Sequence, residues 1–167
     1  MSDVTIYYLE MTRPADLNPV GSGNGLSVVE AEIDNHAVNR FLYQHIGGPW
    51  QWTDKLGFTD EDWRTYVEDP ALRTWLAYYR GSIAGYFELL QADNGDVDIA
   101  YFGLGPGFIG RGFGGYFLTE AVRQAWAIPG VQRVTVNTCS LDHPSALANY
   151  QARGFRIVDE IRGEPGA

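Results

Sequence analysis

The pattern of hydrophobic and polar residues predicts β-strands in three consecutive segments, and the third of these alternates with a period of two and is rich in β-branched and aromatic residues. Arg80-Gly81 separates the first two segments, and Asp93-Asn94-Gly95 separates the second from the third. Asn and Gly reach positive φ at low energetic cost, so the second separator predicts a hairpin turn. We therefore predict an antiparallel meander with strands at Leu72 to Tyr79, Ser82 to Gln91 and Asp96 to Leu104.

The pattern becomes helical after a glycine-rich stretch that follows the third strand. A helix is predicted from Gly112 to Ala127, and Pro129-Gly130 ends it. Because such a helix crosses over to a parallel neighbour, the next strand, Gln132 to Thr138, should lie parallel to the Asp96 strand. A last helix and strand complete an α/β sandwich around a mixed sheet: His143 or Pro144 to Arg153, and Phe155 to Arg162.

The first part of the chain has a less regular pattern. Thr5 to Met11 predicts a strand, and the Pro-, Gly- and Asn-rich segment Thr12 to Gly25 predicts a loop. Leu26 to Ile33 suggests a second strand, although its glutamates leave a helix open. Two helices should follow, one capped by Asp34 or Asn35 and one beginning at Thr59. The first has the apolar stripe Val38, Phe41, Leu42 and His45, and the second contains Trp63 and Tyr66.

Composition indicates one soluble globular domain over residues 1–167. The chain is 45% hydrophobic and 20% charged, and no repeat or low-complexity linker divides it. No apolar run approaches the roughly 20 residues of a membrane span, and the start does not resemble an export signal. The single cysteine, Cys139, allows no intrachain disulfide. We therefore expect a cytoplasmic protein without a membrane partner.

The net charge of −9 argues against a nucleic-acid partner, because such binding depends on neutralising phosphates with Lys and Arg. The same charge favours a cationic acceptor through long-range attraction. A polyanionic ligand would have to depend on local backbone donors instead.

The stretch from Gly95 to Leu118 predicts such a site. A strand leads into Gly105-Pro106-Gly107, and four more glycines precede a helix. The first N–H groups of a helix have no intrahelical acceptor, the helix dipole is positive there, and glycines allow an anion to approach the backbone. The sequence therefore predicts a phosphate-bearing ligand.

Two common phosphate motifs fit this stretch poorly. Gly110-x-Gly112-x-x-Gly115 satisfies the dinucleotide fingerprint, but that motif also needs an acidic residue about 20 positions later, at the end of the next strand. Gln132 to Thr138 contains no acid. No Gly-Lys-Ser/Thr follows the glycines, which excludes an ordinary Walker loop. An NAD- or ATP-dependent enzyme that uses the Gly110 fingerprint is therefore kept only as an alternative function.

Ile109-Gly110-Arg111-Gly112-Phe113-Gly114 resembles the acetyl-coenzyme A loop of the GNAT superfamily of N-acetyltransferases, Gln/Arg-x-x-Gly-x-Gly/Ala. Both glycines match, and Ile109 stands where the family has Gln or Arg. Ala146-x-x-Asn149-Tyr150-x-x-x-Gly154-Phe155 is similar to a second family signature, Ala-x-x-Leu-Tyr-x-x-x-Gly-Phe. The resemblance covers roughly Thr59 to Glu160.

The resemblance implies an α/β (α+β) fold with a mixed, mostly antiparallel sheet, helices on both faces, and one parallel strand pair that splays. It implies acetyl-CoA as co-substrate, with its pantetheine arm pairing along the splayed strand. The Leu104 N–H would stabilise the oxyanion of the thioester carbonyl. The residues implied to bind acetyl-CoA are Phe102, Gly103, Leu104, Ile109, Gly110, Arg111, Gly112, Phe113, Gly114, Gly115, His143 and Asn149.

Acyl transfer to an amine needs a base for the ammonium proton and an acid for the departing thiolate. Asp98 occupies the strand position where several GNAT enzymes have a catalytic glutamate, and strand alternation puts it on the face of Ala100 and Phe102. Glu88, on the preceding strand, is the alternative base. By resemblance, Tyr150 would protonate the thiolate. No metal is predicted.

The acceptor is expected to be a small-molecule or peptide amine. Trp50, Trp52 and Glu88 are the candidate acceptor contacts, because a substrate site couples apolar walls with a few polar groups. An aminoglycoside, a polyamine, an amino acid, a peptide terminus and a lysine side chain all fit. A homodimer is one option for the assembly, as in many relatives. A module that senses acetyl-CoA without transferring its acetyl group is the alternative function.

Overall fold

A computed structural model describes residues 4–163, in which seven strands form one sheet. The strand order is β2-β3-β4-β5-β6-β1-β7. Every pair of neighbours is antiparallel except β5 and β6. The strands are β1 (Val4–Met11), β2 (Ser27–Glu30), β3 (Leu72–Tyr79), β4 (Ser82–Gln91), β5 (Val97–Leu104), β6 (Val134–Cys139) and β7 (Arg156–Gly163).

Four α-helices cover the two faces of this sheet: α1 (His36–Gly47), α2 (Asp60–Val67), α3 (Gly114–Ala127) and α4 (Ala146–Arg153). The buried side chains of α3 and α4 pack into the larger core, which includes Phe87 and Val134. Leu42 and Ile46 of α1 pack with Tyr86 in a second core on the opposite face. Within residues 4–163, no helix combines the length and hydrophobicity needed to cross a membrane. The predicted mixed sheet with helices on both faces is confirmed.

The strand boundaries follow the predictions closely, because glycine-containing turns separate the strands. Gly81 and Gly95 have φ of +86° and +94°. Asn94 does not share the positive φ that we expected of it, so glycine alone meets that demand in the second turn. The capping box of Thr59 and Asp62 likewise fixes the start of α2, through reciprocal side-chain bonds to backbone N–H groups.

Two helix starts differ from the predictions. α3 begins at Gly114 rather than Gly112, because Gly112 has a φ of +81°, outside the range of a right-handed helix. α4 begins at Ala146 rather than at His143 or Pro144, which lie in the preceding turn. The later start of α3 leaves extra backbone N–H groups outside regular structure, next to the site described below.

The buried face of α1 also differs from the predicted stripe. Asn39, Leu42, Tyr43 and Ile46 are buried, whereas Phe41 is 54% exposed. The Phe41 and His45 rings stack on each other with 5.2 Å between their centroids. Asn39 and Tyr43 lie on the buried face because each has a buried partner there: the Asn39 amide donates to Glu88, and the Tyr43 ring packs against Trp63.

A β-bulge in β5 changes the face of Asp98. Leu89 pairs with Ile99 and Glu88 pairs with Tyr101, so Ala100 is an extra residue in β5. Because the bulge adds one residue, side chains before it lie on the face opposite to the one that strict alternation from Phe102 would give them. Asp98 therefore lies on the face of Tyr101, next to α1 and α2, and the prediction that it shares a face with Phe102 is wrong. Phe102 points to the other face, where its ring centroid lies 4.9 Å from that of Phe117.

Candidate active site

The separation of β5 from β6 opens a large cavity. The two parallel strands pair only at Val97–Val134 and Asp98–Thr135, and they diverge beyond these pairs. The cavity between them has a volume of about 1350 Å³. This exceeds the roughly 300–1,000 Å³ of ordinary small-molecule pockets, which leaves room for a large ligand and a second substrate.

One end of the cavity is the turn between β5 and α3, whose N–H groups are free. Within residues 4–163, the backbone N–H groups of residues 109–116 donate to no protein acceptor. Gly110 and Gly112 have φ of +80° and +81°, a conformation that turns successive N–H groups toward one point. With the dipole of α3 behind it, this turn can bind a phosphate or diphosphate through backbone donors alone.

The backbone of β5 supplies further donors along the cavity. The Gly105 N–H donates to the Ala84 carbonyl at 2.7 Å, on the β4 side. Because N–H directions alternate along a strand, the N–H groups of Leu104 and Phe102 point away from β4, toward the gap left by β6. An extended ligand in that gap can pair with β5 as an added strand would.

Asp98 lies at the last paired position before the strands diverge. Its Oδ1 accepts a hydrogen bond from the Thr135 hydroxyl at 2.8 Å across the parallel pair. Burial raises the pKa of this carboxyl above its usual value, and the Thr135 bond partly opposes that shift. Asp98 also lines the cavity. A carboxylate with a raised pKa next to a substrate cavity is suited to accepting a proton.

Tyr150 projects into the same cavity from α4. The side chain is 6% exposed, and among the described residues its hydroxyl has no hydrogen-bond partner. Burial raises the pKa of the phenol, and the charges of Asp142 and Asp98 raise it further. The hydroxyl is therefore protonated at neutral pH and available as a donor to a ligand atom.

The aromatic loop after α1, which carries Trp50 and Trp52, lines the same cavity. Trp50 and His143 both line the cavity, and their ring centroids are 5.1 Å apart. The Trp52 indole N–H donates to Asp142 at 3.2 Å, and the Asp142 carboxylate also accepts from the Thr138 hydroxyl and the Cys139 N–H. The candidate residues Trp50, Trp52 and His143 are thus brought together at one wall.

Two candidate cofactor contacts have protein partners of their own. The Asn149 amide donates to the Gly114 carbonyl at 3.1 Å and accepts from Arg153, so it joins α4 to the start of α3. The Arg111 guanidinium lies 5.9 Å from the Tyr79 ring centroid and 5.7 Å from that of Phe108. Asn149 still lines the cavity, whereas Arg111 does not.

Glu88 does not reach the cavity. Its side chain is 1% exposed, and its carboxylate accepts from the Tyr66 hydroxyl at 2.5 Å and from Asn39 at 2.8 Å. Burial raises its pKa, and these two hydrogen bonds oppose the shift. Tyr66 stands between Glu88 and the cavity, so the structure does not place Glu88 where an acceptor could touch it.

Several residues of this site have no motif that marks them in the sequence. Thr135 anchors Asp98, Asp142 ties the aromatic loop to β6, and Tyr66, Tyr101 and Lys55 line the cavity beside Asp98. One available signal was composition, because Lys55 is the only lysine in the chain. Among the described residues, no three His, Cys, Asp or Glu side chains converge as metal ligands would.

A sequence model of the acetyltransferase (GNAT) family matches residues 28–155, more than half of the chain. The chain belongs to the GNAT acetyltransferase family. A search of curated proteins found no significant match to its sequence.

Solved GNAT structures share this fold. A GCN5-related N-acetyltransferase from Sphaerobacter thermophilus superposes with a TM-score of 0.70 at 18% identity, over 100% of this chain and 54% of that one. One from Kribbella flavida gives a TM-score of 0.64 at 16% identity, over 100% and 60%. An IAA acetyltransferase from Bacillus cereus gives 0.59 at 24% identity, over 80% and 79%. At these identities the likeness shows the fold alone.

The length of this chain differs from that of the first two structures. It spans 54% of the Sphaerobacter chain and 60% of the Kribbella chain. The comparisons show the family and the fold of this chain.

Proposed function

We propose that this protein is an N-acetyltransferase that moves an acetyl group from acetyl-CoA to a primary amine. The observation that supports it most is the composition of one cavity. Free N–H groups of residues 109–116 lie at one end, Asp98 lies where β5 and β6 diverge, and Tyr150 lines the same cavity. The lone Cys139 and a thioester co-substrate are both suited to the reducing cytoplasm, which we propose as the site of the reaction.

The proposed reaction is direct attack in a ternary complex. The amine nitrogen bonds to the thioester carbonyl carbon, and Asp98 takes the amine proton, directly or through water. The Leu104 N–H stabilises the oxyanion of the tetrahedral intermediate. The carbon–sulfur bond then breaks, and the thiolate takes the Tyr150 phenolic proton. The turn at residues 109–115 holds the diphosphate, while β5 aligns the pantetheine arm.

The acceptor is a small-molecule or peptide amine that enters past the aromatic loop. Trp50 and Trp52 supply an apolar wall. The lining also has three carboxylates, Asp54, Asp98 and Asp142, which outnumber its Lys and Arg side chains. Carboxylates attract an ammonium group and then help to remove its proton. A cationic amine therefore fits this side of the cavity better than an anionic one.

A thiol-release screen with acetyl-CoA across an amine library tests the proposal. We expect release with at least one amine, and loss of roughly 100-fold or more in rate for Asp98→Asn or Tyr150→Phe, since proton transfer contributes about 10²–10⁴-fold. Tyr79→Phe is a control hydroxyl deletion on the same sheet outside the cavity. Undiminished turnover in both variants would remove the acid–base assignment. Binding of acetyl-CoA without release by any amine would favour the sensor.

A further inference from the structure

Lys55 is held in an unusual position for a lysine. Its Nζ lies 4.3 Å from the ring centroid of Tyr66, 5.0 Å from that of Phe58 and 5.1 Å from that of Tyr101. These distances are within the range of cation–π contacts, so the three rings form an aromatic cage around the ammonium group. Lys55 is also the only lysine in a chain of 167 residues.

The cage belongs to the wall of the proposed active site. Lys55, Tyr66 and Tyr101 line the same cavity as Asp98, Leu104 and Tyr150. Tyr101 lies three residues before Leu104 on β5, a distance of about 10 Å along an extended strand. A lysine side chain has a flexible four-carbon stem, so a change of rotamer can move the Lys55 Nζ from the cage toward Leu104.

The loop that carries Lys55 is itself fastened to the point where the strands diverge. Asp54 accepts a hydrogen bond from the Tyr101 hydroxyl at 3.1 Å, and Trp52 is bonded to Asp142 beyond the end of β6. A Cβ placed on Gly103 would lie 3.5 Å from the Trp52 ring, so this loop touches the residue before Leu104. The backbone of Lys55 is thus held beside the proposed position of the thioester.

Apart from the three rings, the Lys55 ammonium group has no ion pair and no hydrogen bond among the described residues, and no carboxylate oxygen there lies within 4.0 Å of its Nζ. Burial lowers the pKa of the Lys55 amine, although Glu88 and Asp54 partly oppose the shift. A larger fraction of the amine is therefore neutral than for an exposed lysine, and a neutral amine is the nucleophilic form.

We propose that Lys55 is an internal acceptor of this enzyme and is acetylated by its own active site. This rests on the proposed acetyltransferase function. The Lys55 Nζ attacks the thioester carbonyl carbon, a carbon–nitrogen bond forms and the carbon–sulfur bond breaks. One amine proton passes to the thiolate, through Asp98 and Tyr150, so the products are acetyl-Lys55 and free coenzyme A. The modification removes the one cation held by the cage.

Intact-mass and peptide mass spectrometry of the full chain with acetyl-CoA and no added amine tests this directly. We expect one added acetyl group, located at Lys55. The Lys55→Arg variant has no lysine, so any acetyl group it gains must be elsewhere, for instance on the terminal amine. The labelling rate per molecule should not change on dilution, because the reaction is intramolecular. Denaturant-unfolded protein gives the rate of uncatalysed acetylation.

The catalytic variants separate enzymatic from spontaneous labelling. Asp98→Asn and Tyr150→Phe should each slow labelling of Lys55 by roughly 100-fold or to the unfolded background, as in the amine assay. Equal labelling of native and unfolded protein, or undiminished labelling in both variants, would overturn the inference.

A parallel amine screen distinguishes the two proposals. Thiol release with an added amine but no acetyl group on Lys55 would reject self-acetylation and leave the acetyltransferase function standing. No release with any amine and no label on Lys55 would reject both.

Discussion

Two carboxylates on one face of the sheet, Glu88 buried and Asp98 half-buried, show how residue environment separates roles. Glu88 and Asp98 both have pKa values raised by burial. Both carboxylate oxygens of Glu88 accept hydrogen bonds, from Tyr66 and Asn39. Asp98 accepts one hydrogen bond from Thr135 and lines the cavity. Only Asp98 can therefore exchange a proton with a bound substrate without first breaking internal bonds.

The raised pKa of Asp98 predicts a pH dependence with a definite sign. Asp98 accepts a proton only when ionised, so its contribution is full above its folded pKa and disappears as pH falls through that value. The ratio of kcat/KM between wild type and Asp98→Asn should be large at neutral pH. It should shrink toward one as pH falls through the folded pKa of Asp98, which lies above the ordinary value of 3.8. The measurement is a pH–rate profile of both proteins with one amine.

Glu88→Gln is the matched control for that profile. It changes a buried carboxylate on the same face that does not touch the cavity, so the fall of the rate at low pH should remain. If Glu88→Gln removed that limb and Asp98→Asn kept it, the base would be Glu88.

Two tyrosines on this face should respond in opposite ways to loss of the hydroxyl. Within the described chain, the Tyr86 hydroxyl is buried without a partner, whereas the Tyr66 hydroxyl donates to Glu88. An unpaired buried hydroxyl costs about 1–3 kcal/mol, and a hydrogen bond to a charged group contributes about 1.5–3 kcal/mol. We expect Tyr86→Phe to raise the free energy of unfolding by about 1 kcal/mol and Tyr66→Phe to lower it.

Urea unfolding of the two variants measures this difference. Each change removes one oxygen and leaves the ring, so the pair controls for packing. Destabilisation of Tyr86→Phe by an amount similar to that of Tyr66→Phe would mean that the Tyr86 hydroxyl has a partner, such as a buried water.

At the scale of elements, the β5–α3 unit joins a strand edge to an anion site. β5 loses its partner after Asp98, and its free backbone groups lead to the turn of free N–H groups before α3. In the proposed reaction, the strand aligns the pantetheine arm while the turn holds the diphosphate. One continuous segment would thus set the distance between the diphosphate and the thioester carbonyl.

Gly110→Ala tests this turn. Gly110 has a φ of +80° and open space around its Cα, so an added Cβ disturbs the backbone conformation without meeting a neighbour. The left-handed conformation costs a non-glycine residue roughly 1–2 kcal/mol. If the turn relaxes away from it, KM for acetyl-CoA should rise about 5- to 30-fold, with little change in the urea midpoint.

Gly107→Ala is the control for the turn. Gly107 also has open space around it, but its φ is not positive, so alanine fits there without strain. Its KM for acetyl-CoA should stay within about twofold of wild type. Equal effects at both glycines would argue against a specific role for the left-handed conformation.

At the scale of the whole molecule, the negative net charge acts in opposite directions on the two proposed substrates. The net charge of −9 repels a coenzyme A polyanion at a distance and attracts a cationic amine. In the proposed reaction, the backbone N–H groups of the turn therefore have to bind acetyl-CoA against a repulsive long-range field.

Ionic strength should move the two Michaelis constants in opposite directions. The screening length is about 10 Å at 0.1 M salt, so added salt weakens both long-range effects. We expect KM for acetyl-CoA to fall and KM for a cationic acceptor to rise between low and moderate salt, measured by thiol release. A neutral amine analogue gives the control. An acetyl-CoA KM that rises with salt would show local attraction to dominate.

The sequence alone determined the features that depend on residues close together along the chain. The meander, the parallel crossover and the glycine turn follow from the pattern of hydrophobic residues, the turn glycines and the crossover rule. The family follows from two short motifs around Gly110 and Tyr150, and the family match confirms it. Each of these signals lies within a few residues, so no knowledge of distant partners was needed.

Only the tertiary structure decided which distant side chains meet. The extra residue at Ala100 moved Asp98 to the α1–α2 face, because a bulge depends on the register with β4. The burial of Glu88 behind Tyr66, and the cage that Phe58, Tyr66 and Tyr101 form around Lys55, join residues far apart in the chain. Local periodicity does not encode such contacts, because packing between elements selects them.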